Sequence, residues 1–501
     1  MRALLETAAG QSDRLALAAG AARMSYAQLL EVSARGASAL LASRGGAGHD
    51  LDLTRVAFLV QPGLDYVRVQ WAIWRAGGIA VPLSPSQPAA EWDYIIGDSA
   101  AALVVGDAPH ARWLGPLTEA RGAKFLEAGA LDAEPVGLPG PADARPAMIL
   151  YTSGTTSRPK GVVITHGNLE AQMRTLVEAW GWTPADCALH VLPLHHVHGI
   201  VNVLGCALRA GASCEFQWPF EARRVWERWA AGGITVFMAV PTIYAKLLAA
   251  WEAADLATQA RWSEAARGLR LMVSGSAALP ETLFQRWREV TGQTLLERYG
   301  MTEIGMALSN PLAGERRPGH VGVPLPGVQV RLVDEGGREV APGMPGEIEV
   351  HGPGVFRHYW ERPEATRESF RHGWFRTGDV AVNEDGSYRI LGRLSVDIIK
   401  TGGEKVSALE VEEVLRQHPD IRECAVVGIP DAEWGERVAA AVELRAGASI
   451  ELGALRQWAA PRLARAKLPT LLNVLDRLPR NAMGKVVKGQ VKRLFDGSSR
   501  Q

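Results

Sequence analysis

The chain has 501 residues, of which 47% are hydrophobic, and both Lys plus Arg and Asp plus Glu total 54. This length is too great for one hydrophobic core, so it predicts a large globular protein with at least two domains. Because the net charge is zero, the chain has no general attraction to nucleic acid or to an anionic membrane. The totals therefore favour a small-molecule partner.

The cysteines and the first residues of the chain indicate where in the cell the protein is located. The cysteines show neither the paired spacing of a metal site nor the density of a disulfide scaffold, so we expect unpaired thiols in a reducing environment; they are Cys187, Cys206, Cys214 and Cys424. Acidic residues and the lack of a long apolar core near the start argue against a signal peptide. The longest apolar run, 234–251, is broken by Pro241 and Lys246, which favours a strand and a helix over a membrane span. We therefore expect a cytoplasmic protein without a membrane span.

Helical and strand-like segments alternate in the first third of the chain. Ser25 is a capping residue before apolar positions at helical spacing, and the block 55–60 is short and strand-like. Another helix ends at Gly77 and Gly78, and 79–83 is a further short strand. The alternation predicts repeated α/β units with a mainly parallel sheet.

A segment rich in glycine and hydroxyl side chains, 151–161, follows the predicted buried strand at 148–150. Glycine lets backbone N–H groups approach a phosphate, hydroxyls donate hydrogen bonds, and Lys160 supplies a cation. The order differs from the Walker pattern because Gly161 follows the lysine. A solvated loop between two strands would have a similar composition, so the segment alone leaves both interpretations open.

The complete pattern Ser-Gly-Thr-Thr-x-x-Pro-Lys-Gly resembles the nucleotide-binding loop of the adenylate-forming superfamily. This superfamily contains acyl-CoA synthetases, peptide-synthetase adenylation domains and luciferases. The resemblance implies that ATP binds here, through Thr152, Ser153, Gly154, Thr155, Thr156 and Lys160.

Three histidines stand within four residues before Gly199, at His195, His196 and His198. A zinc site is conceivable, but no acidic or cysteine ligand lies nearby in the sequence. The superfamily has one histidine here, at the carboxylate that is activated. His196 takes that place, and His195 replaces the usual aromatic residue.

Two further motifs follow predicted strands. In a doubly wound sheet the ligand crevice lies at the carboxyl ends of the strands, which would bring both motifs to one pocket. By resemblance, one of them borders the adenine: Gly275, Ser276 and Ala277. The other, 299–303, matches the family signature Tyr-Gly-Met-Thr-Glu, and it implies nucleotide binding by Tyr299 and Thr302. Thr302 can donate to the α-phosphate, and Glu303 offers a hard oxygen ligand for the Mg²⁺ that accompanies ATP.

Short strands separated by Gly/Pro turns predict a small β-subdomain between residues 320 and 390. It ends in a Thr-Gly-Asp motif, which is also an ordinary turn sequence. By resemblance to the superfamily, Asp379 accepts hydrogen bonds from the ribose hydroxyls and Arg393 also reaches the ribose.

The composition after Arg393 is that of a compact α+β unit. The predicted fold is therefore α/β, with a large N-terminal domain of α/β layers plus the β-subdomain (1–394), then a small mobile α+β domain (395–501). Glycines at Gly402 and Gly403 would let the thin pantetheine arm of coenzyme A pass close to the backbone. Lys485 matches the lysine that serves adenylation in the superfamily.

The resemblance covers essentially the full chain and implies an acid–thiol ligase. ATP and a carboxylate would give an acyl-adenylate and pyrophosphate, after which the small domain turns and the CoA thiol displaces AMP. Lys160, Thr302 and Lys485, with Mg²⁺ on Glu303, would stabilise the phosphate charge. His196 would complete the catalytic set at the carboxylate.

Phrases in the second half, such as Ser309-Asn310-Pro311, resemble those of malonyl-CoA synthetases. Arg298 could pair in bidentate fashion with the free carboxylate of malonate, assisted by His198 or Ser276, or it could instead pair with Glu297. Two departures are Glu404, where an aromatic residue is expected, and the apolar Ile304-Gly305 after the signature.

Alternatives remain open on sequence grounds. A short- or medium-chain fatty acid ligase or a methylmalonate ligase would keep the same nucleotide motifs, although Arg298 suits an alkyl chain poorly. A stand-alone adenylation enzyme would pass the acyl group to a carrier protein as the alternative thiol. A non-enzymatic binding protein is expected to have lost Glu303 or Lys485, and both are present.

Overall fold

The computed structural model describes residues 1–44, 49–152, 159–480 and 486–495. Five predicted site residues lie outside this part of the chain: Ser153, Gly154, Thr155, Thr156 and Lys485.

The first part of the chain alternates between helices and strands, as its sequence predicts. Its elements are α1 (Arg2–Gly10), β1 (Leu15–Ala19), β2 (Ala22–Ser25), α2 (Tyr26–Ser43), β3 (Arg55–Leu59), α3 (Leu64–Arg75), β4 (Ile79–Pro82), α4 (Ala89–Asp98), β5 (Leu103–Gly106), α5 (Ala108–Ala120), β6 (Lys124–Glu127) and β7 (Pro146–Thr152).

The second part continues the alternation and adds a π-helical segment. Its elements are β8 (Lys160–Thr165), α6 (His166–Ala179), β9 (Cys187–His190), the π-helical segment His198–Gly205, α7 (Cys206–Arg209), β10 (Ser213–Phe216), α8 (Ala222–Ala230), β11 (Val236–Ala239), α9 (Pro241–Glu252), α10 (Leu256–Arg267), β12 (Leu271–Ser274), α11 (Glu281–Thr291) and β13 (Leu296–Met301).

The third part is the β-subdomain, built mostly of antiparallel strands. Its elements are β14 (Gly305–Ser309), β15 (His320–Pro324), β16 (Gln329–Val333), β17 (Gly346–His351), β18 (His358–Tyr359), α12 (Pro363–Glu368), β19 (Phe370–Arg371), β20 (Trp374–Glu384) and β21 (Ser387–Arg393).

The last part is an α+β unit. Its elements are β22 (Ile398–Thr401), β23 (Glu404–Ser407), α13 (Ala408–Arg416), β24 (Ile421–Asp431), β25 (Gly435–Leu444), α14 (Leu452–Ala459), β26 (Leu471–Val474) and α15 (Lys488–Arg493).

Three sheets organise these elements. The first runs β16-β17-β20-β21-β15-β14-β13-β12-β11-β9-β10-β1-β2 with β19 beside β20, and the second runs β18-β8-β7-β4-β3-β5-β6. The third belongs to the last part and runs β23-β22-β25-β24, with β26 on β25. The central strands of the first two sheets pair in parallel, so their carboxyl ends meet at shared edges.

Local hydrogen bonds explain where two of the helices begin. The Ser25 side chain accepts from the Gln28 backbone N–H at the start of α2, and Thr165 does the same for Asn168 at α6. In both cases the side chain of the third helical residue reaches back to the capping residue, which completes a capping box.

The α+β unit has its own hydrophobic cores. Buried residues such as Val411, Val426 and Leu455 form one cluster, and Val427, Val491 and Phe495 belong to another. Separate cores are what an independently moving domain requires. Among the helices described here, none is long and apolar enough to cross a bilayer.

Candidate functional site

The carboxyl ends of neighbouring parallel strands bring the predicted motifs together. Ser274 ends β12 and lies in register with Glu297 of β13, so the turn that begins at Gly275 lies beside Arg298. Strand β9 belongs to the same sheet, and the π-helical segment that follows it begins at His198.

Three of the predicted acid-binding residues form a connected chain. Arg298 donates from Nη2 to the Ser276 hydroxyl at 3.3 Å, and that hydroxyl lies 3.2 Å from Nδ1 of His198. Because Ser276 accepts from the arginine, its own hydrogen can go to Nδ1, which would leave the histidine proton on Nε2. Ser276 adopts a left-handed conformation (φ 69°), as residues at functional sites often do.

Arg298 is a buried cation without an acidic partner. Arg298 is 3% exposed, and in the described ranges it forms no ion pair. Successive strand residues point to opposite faces, and Glu297 instead accepts from the backbone N–H of Gly319 at 3.3 Å. Burial lowers the pKa of Arg298 to about 9, which still leaves the guanidinium charged at neutral pH.

Several buried polar atoms on β12, β13 and the π-helical segment have no hydrogen-bond partner within the described part of the chain. They are Nε of Arg298, Nε2 of His198, Oγ of Ser274 and both amide atoms of Asn202. Native proteins rarely leave buried polar atoms unsatisfied, so a group of them indicates a place for a polar ligand or water.

Asn202 was not found by sequence reasoning. It is fully buried in the π-helical segment, one turn after His198. The available signal was a single amide within the apolar run from Ile200 to Leu204, and π-helical segments are frequent at functional sites.

The histidines differ in their surroundings. Burial and the nearby Arg298 charge lower the pKa of His198, so it is neutral at pH 7. The rings of His195 and His196 lie 4.2 Å apart between centroids, and burial also lowers the pKa of His195. His190, at the end of β9, hydrogen-bonds through Nε2 to the carbonyl of Gly199 at 3.0 Å.

Gly275 makes room for the arginine. A Cβ atom at this position would lie 2.5 Å from Cζ of Arg298, closer than any normal contact. Ser276 and Ala277 follow it in an exposed stretch of the turn.

Glu303 and Lys160 contact the same tyrosine, one at its hydroxyl and the other at its ring. Tyr359 donates from its hydroxyl to Oε1 of Glu303 at 2.9 Å, and Nζ of Lys160 lies 5.2 Å from the centre of its ring. Burial raises the pKa of Glu303, whereas the Tyr359 hydrogen bond favours its ionised form. Thr302 and Glu303 lie in the turn between β13 and β14. Thr152 ends β7 and pairs with Lys160 of β8. Tyr359 carried no signal in the sequence.

The donor set fits a magnesium ion that arrives with ATP. Magnesium is usually held by one or two carboxylates together with substrate phosphates rather than by a protein cage. No group of three or more His, Cys, Asp or Glu within the described ranges could hold a metal by itself. Glu303 could supply a hard oxygen ligand to this ion, close to the Lys160 cation that contacts the same tyrosine.

A third cluster joins three predicted nucleotide-binding residues. Asp379 accepts from the Tyr299 hydroxyl through Oδ2 at 2.7 Å and from Nε of Arg393 through Oδ1 at 2.9 Å. Each carboxylate oxygen has a second lone pair, so both can accept a further hydrogen bond.

The segment after Arg393 is tied to the last helix by a buried ion cluster. Asp397 accepts from the backbone N–H of Arg393 through Oδ2 at 3.0 Å. Its Oδ1 lies 2.5 Å from Nζ of Lys488, which also lies 2.7 Å from Glu412. Sequence reasoning missed this cluster.

Gly402 and Gly403 form the tip of the β22–β23 hairpin, both with positive φ (56° and 82°). A Cβ on Gly402 would lie 3.0 Å from the Trp434 ring. On the same hairpin, Lys405 pairs with Glu335 of the β-subdomain at 2.9 Å. Among the described residues, no hydrogen bond joins these glycines to the phosphate and ribose clusters.

Residues 4–360 match the AMP-binding enzyme family, and residues 410–485 match the AMP-binding enzyme C-terminal domain. The chain belongs to the AMP-binding enzyme family. The two matched ranges agree with a division of the chain into a large N-terminal part and a small C-terminal part.

Relatives match over nearly the whole chain. The mitochondrial malonate–CoA ligase ACSF3 of Mus musculus is 47% identical, over 97% of this chain and 90% of the relative. The malonate–CoA ligase of Arabidopsis thaliana is 40% identical, over 99% and 88%.

Solved structures share the fold. ATP-bound MatB from Rhodopseudomonas palustris superposes with a TM-score of 0.89 at 35% identity, covering 99% of both chains. The o-succinylbenzoate CoA synthetase MenE of Bacillus subtilis, in complex with ATP and magnesium ion, gives 0.86 at 28% identity, covering 98% of this chain and 99% of that one.

Proposed function

We propose that the chain is an ATP-dependent acid–thiol ligase that makes malonyl-CoA. The reaction is malonate + ATP + CoA to malonyl-CoA + AMP + pyrophosphate. The observation that carries the choice of acid is Arg298, a buried cation without an acidic partner among the described residues. The relatives that are named malonate–CoA ligases support the same substrate.

The acid pocket offers donors suited to a second carboxylate. The unpaired N–H of Arg298 and the Nε2–H of neutral His198 can both donate to carboxylate oxygens, while Ser276 fixes the relative position of the two side chains. Malonate would neutralise the arginine, with its other carboxylate left to react near His196. A monocarboxylate would leave the guanidinium buried and unpaired, which costs about 2–5 kcal/mol.

The first half-reaction is attack of a malonate oxygen on the α-phosphorus of ATP with loss of pyrophosphate. Lys160 and Thr302 would hold the phosphates, and Tyr299, Asp379 and Arg393 the ribose. The magnesium ion supplies charge neutralisation on the phosphate oxygens when Glu303 binds it. Lys485, outside the described residues, is proposed as the further cation for this step.

The second half-reaction is attack of the CoA thiol on the acyl-adenylate with loss of AMP. We propose that it follows a rotation of residues 395–501 against 1–394, which would bring Gly402 and Gly403 to the pantetheine arm. The separate cores of the last part and the end of β21 at Arg393 support this boundary.

Methylmalonate is a second candidate substrate, since it differs from malonate by one methyl group and keeps both carboxylates. A malonyl-CoA ligase solved as a product complex with methylmalonyl-CoA and AMP is 39% identical to this chain. A hydrophobic pocket discriminates weakly over one methyl group, by about 1–3 kcal/mol.

We propose a cytoplasmic location, which four unpaired cysteines support, although mouse ACSF3 is named mitochondrial. Detection of the native protein in fractionated cells tests it, and recovery with an organelle fraction would contradict it.

A panel of acids tests the proposed function. Pyrophosphate release and acyl-CoA formation are measured with malonate, methylmalonate, succinate, acetate, butyrate and octanoate. We expect the highest kcat/KM with malonate, and no acyl-CoA without ATP or magnesium. A preference for acetate, butyrate or octanoate would refute the choice of a dicarboxylate and leave the ligase reaction standing.

A further inference from the structure

Tyr359 connects the magnesium ligand to the phosphate cation. It belongs to β18, which has only two residues and pairs with β8 opposite Val162. Because Lys160 begins β8, this pairing places the tyrosine beside the lysine. The next residue reinforces the arrangement, since Trp360 donates its backbone N–H to the carbonyl of Gly161 at 2.7 Å.

The hydroxyl of Tyr359 restrains Glu303. In the portion of the chain that the structure describes, it is the one side chain that donates to this carboxylate, at 2.9 Å. A backbone contact adds to it, because Phe356 donates its N–H to the carbonyl of Glu303 at 2.7 Å. The segment 356–359 therefore fixes both the main chain and the carboxylate of the magnesium ligand.

The ring of Tyr359 restrains Lys160. Tyr359 is 7% exposed, and the Phe356 ring packs against its ring at 4.8 Å between centroids. The ammonium group of Lys160 lies over the ring face at 5.2 Å, within the range of a cation–π interaction. A ring that is packed in place offers the flexible lysine one preferred position.

We propose that Tyr359 is a positioning residue that holds Glu303 and Lys160 in a fixed relation, so that magnesium and the ATP phosphates bind as one unit. This inference rests on the proposed function for the roles of Glu303 and Lys160. The hydroxyl and the ring act on different partners, so substitutions can separate their effects.

Two variants separate the two contacts. Tyr359→Phe keeps the ring and removes the hydroxyl, so we expect the magnesium concentration for half-maximal rate to rise about tenfold, with KM for ATP within about twofold. Tyr359→Leu removes both contacts, so both the magnesium requirement and KM for ATP should rise.

A binding measurement gives a readout besides activity. Mn²⁺ serves as a probe for the magnesium site, and its affinity is measured by electron paramagnetic resonance with a non-hydrolysable ATP analogue bound. We expect weaker Mn²⁺ binding in Tyr359→Phe than in the wild type.

Tyr388→Phe is the matched control, because Tyr388 is also 7% exposed in the β-subdomain and contacts neither Glu303 nor Lys160. The control should leave the magnesium dependence unchanged. An unchanged magnesium requirement in Tyr359→Phe would overturn the proposal. An equal rise in the magnesium requirement of Tyr359→Phe and Tyr388→Phe would overturn it as well.

The Tyr359→Phe result decides the hydroxyl contact whether or not the leucine variant folds. Mn²⁺ affinity is measured without any acid, so this result is independent of whether malonate is the substrate. If malonate is not the preferred acid but Tyr359→Phe still binds Mn²⁺ more weakly than the wild type, only the proposed function is refuted.

Discussion

Two buried cations in this molecule have opposite surroundings. Arg298 in the proposed acid pocket forms no ion pair within the described ranges, and burial lowers its pKa to about 9. Lys488 in the last helix is also desolvated, but Glu412 and Asp397 outweigh that effect and raise its pKa. One site bears the cost of an unpaired charge, whereas in the other the ammonium group lies between two carboxylates, one of which also pairs with Arg416.

The contrast separates a binding site from a structural element. A protein gains nothing in stability from an unpaired buried charge, so such a charge indicates a ligand that completes it. A fully paired buried cluster instead holds elements in one arrangement, and breaking it leaves charges uncompensated. We therefore expect substitutions at the two cations to change different properties.

The largest stability effect should come from Lys488→Met. This change leaves the mostly buried Asp397 without its cation, while Glu412 keeps only its longer ion pair with Arg416 at 3.3 Å, and we expect a cost of about 3–5 kcal/mol in the free energy of unfolding. The measurement is urea unfolding, and the ratio of kcat/KM for malonate over butyrate should stay at its wild-type value.

Lys467→Met is the control for Lys488→Met. Lys467 pairs with Glu410 at 2.6 Å in the same domain, but both side chains are partly exposed. An exposed pair contributes no more than about 1 kcal/mol. Equal destabilisation by the two variants would show that the buried cluster is not special.

Gly275→Ala should reduce malonate turnover without a comparable loss of stability. Its Cβ would lie 2.5 Å from Cζ of Arg298 and displace the guanidinium, and a misplacement of about 1 Å can cost about 100-fold in rate. Steady-state kinetics with malonate measure the loss. Gly115→Ala, where a Cβ meets nothing within 4 Å, is the control and should retain wild-type kcat/KM.

The smallest effect concerns Glu297, which neighbours Arg298 on the strand. Burial raises its pKa to about 8 from an ordinary 4.5, so the folded state holds the proton more tightly than the unfolded chain. Its contribution to stability is complete below about pH 4.5 and is lost as pH rises through about 8.

The wild type should therefore lose about 2–3 kcal/mol more stability between pH 6 and 9 than Glu297→Gln, which stays neutral. Chemical unfolding at several pH values measures this difference. Parallel pH profiles for the two proteins would contradict a raised pKa at Glu297.

The sequence predicted the alternating α/β layers and the β-subdomain, because hydrophobic periodicity and Gly/Pro turns are local signals. By resemblance to the superfamily it also pointed to Ser276, His198 and Arg298, although Arg298 lies within β13 and His198 begins the π-helical segment. The π-helical segment was missed, since its apolar run is equally compatible with other structures.

Contacts distant in the sequence were beyond prediction. Tyr359 meets Glu303 across 56 positions, and Lys488 meets Asp397 across 91. A tyrosine before a proline-containing helix and a lysine near the end of the chain have no local pattern that names their partners. Only the pairing of β18 with β8 and the packing of α15 bring these side chains to their sites.

The ratio of kcat/KM for malonate over butyrate, compared between the wild type and Arg298→Leu, tests the central claim most directly. Loss of about 2–5 kcal/mol predicts that malonate turnover falls roughly 30- to several-thousand-fold, while kcat/KM for butyrate rises. The unfolding midpoint should not fall, because the variant removes an unpaired buried charge. An Arg298→Leu enzyme that keeps the wild-type preference for malonate would contradict the account.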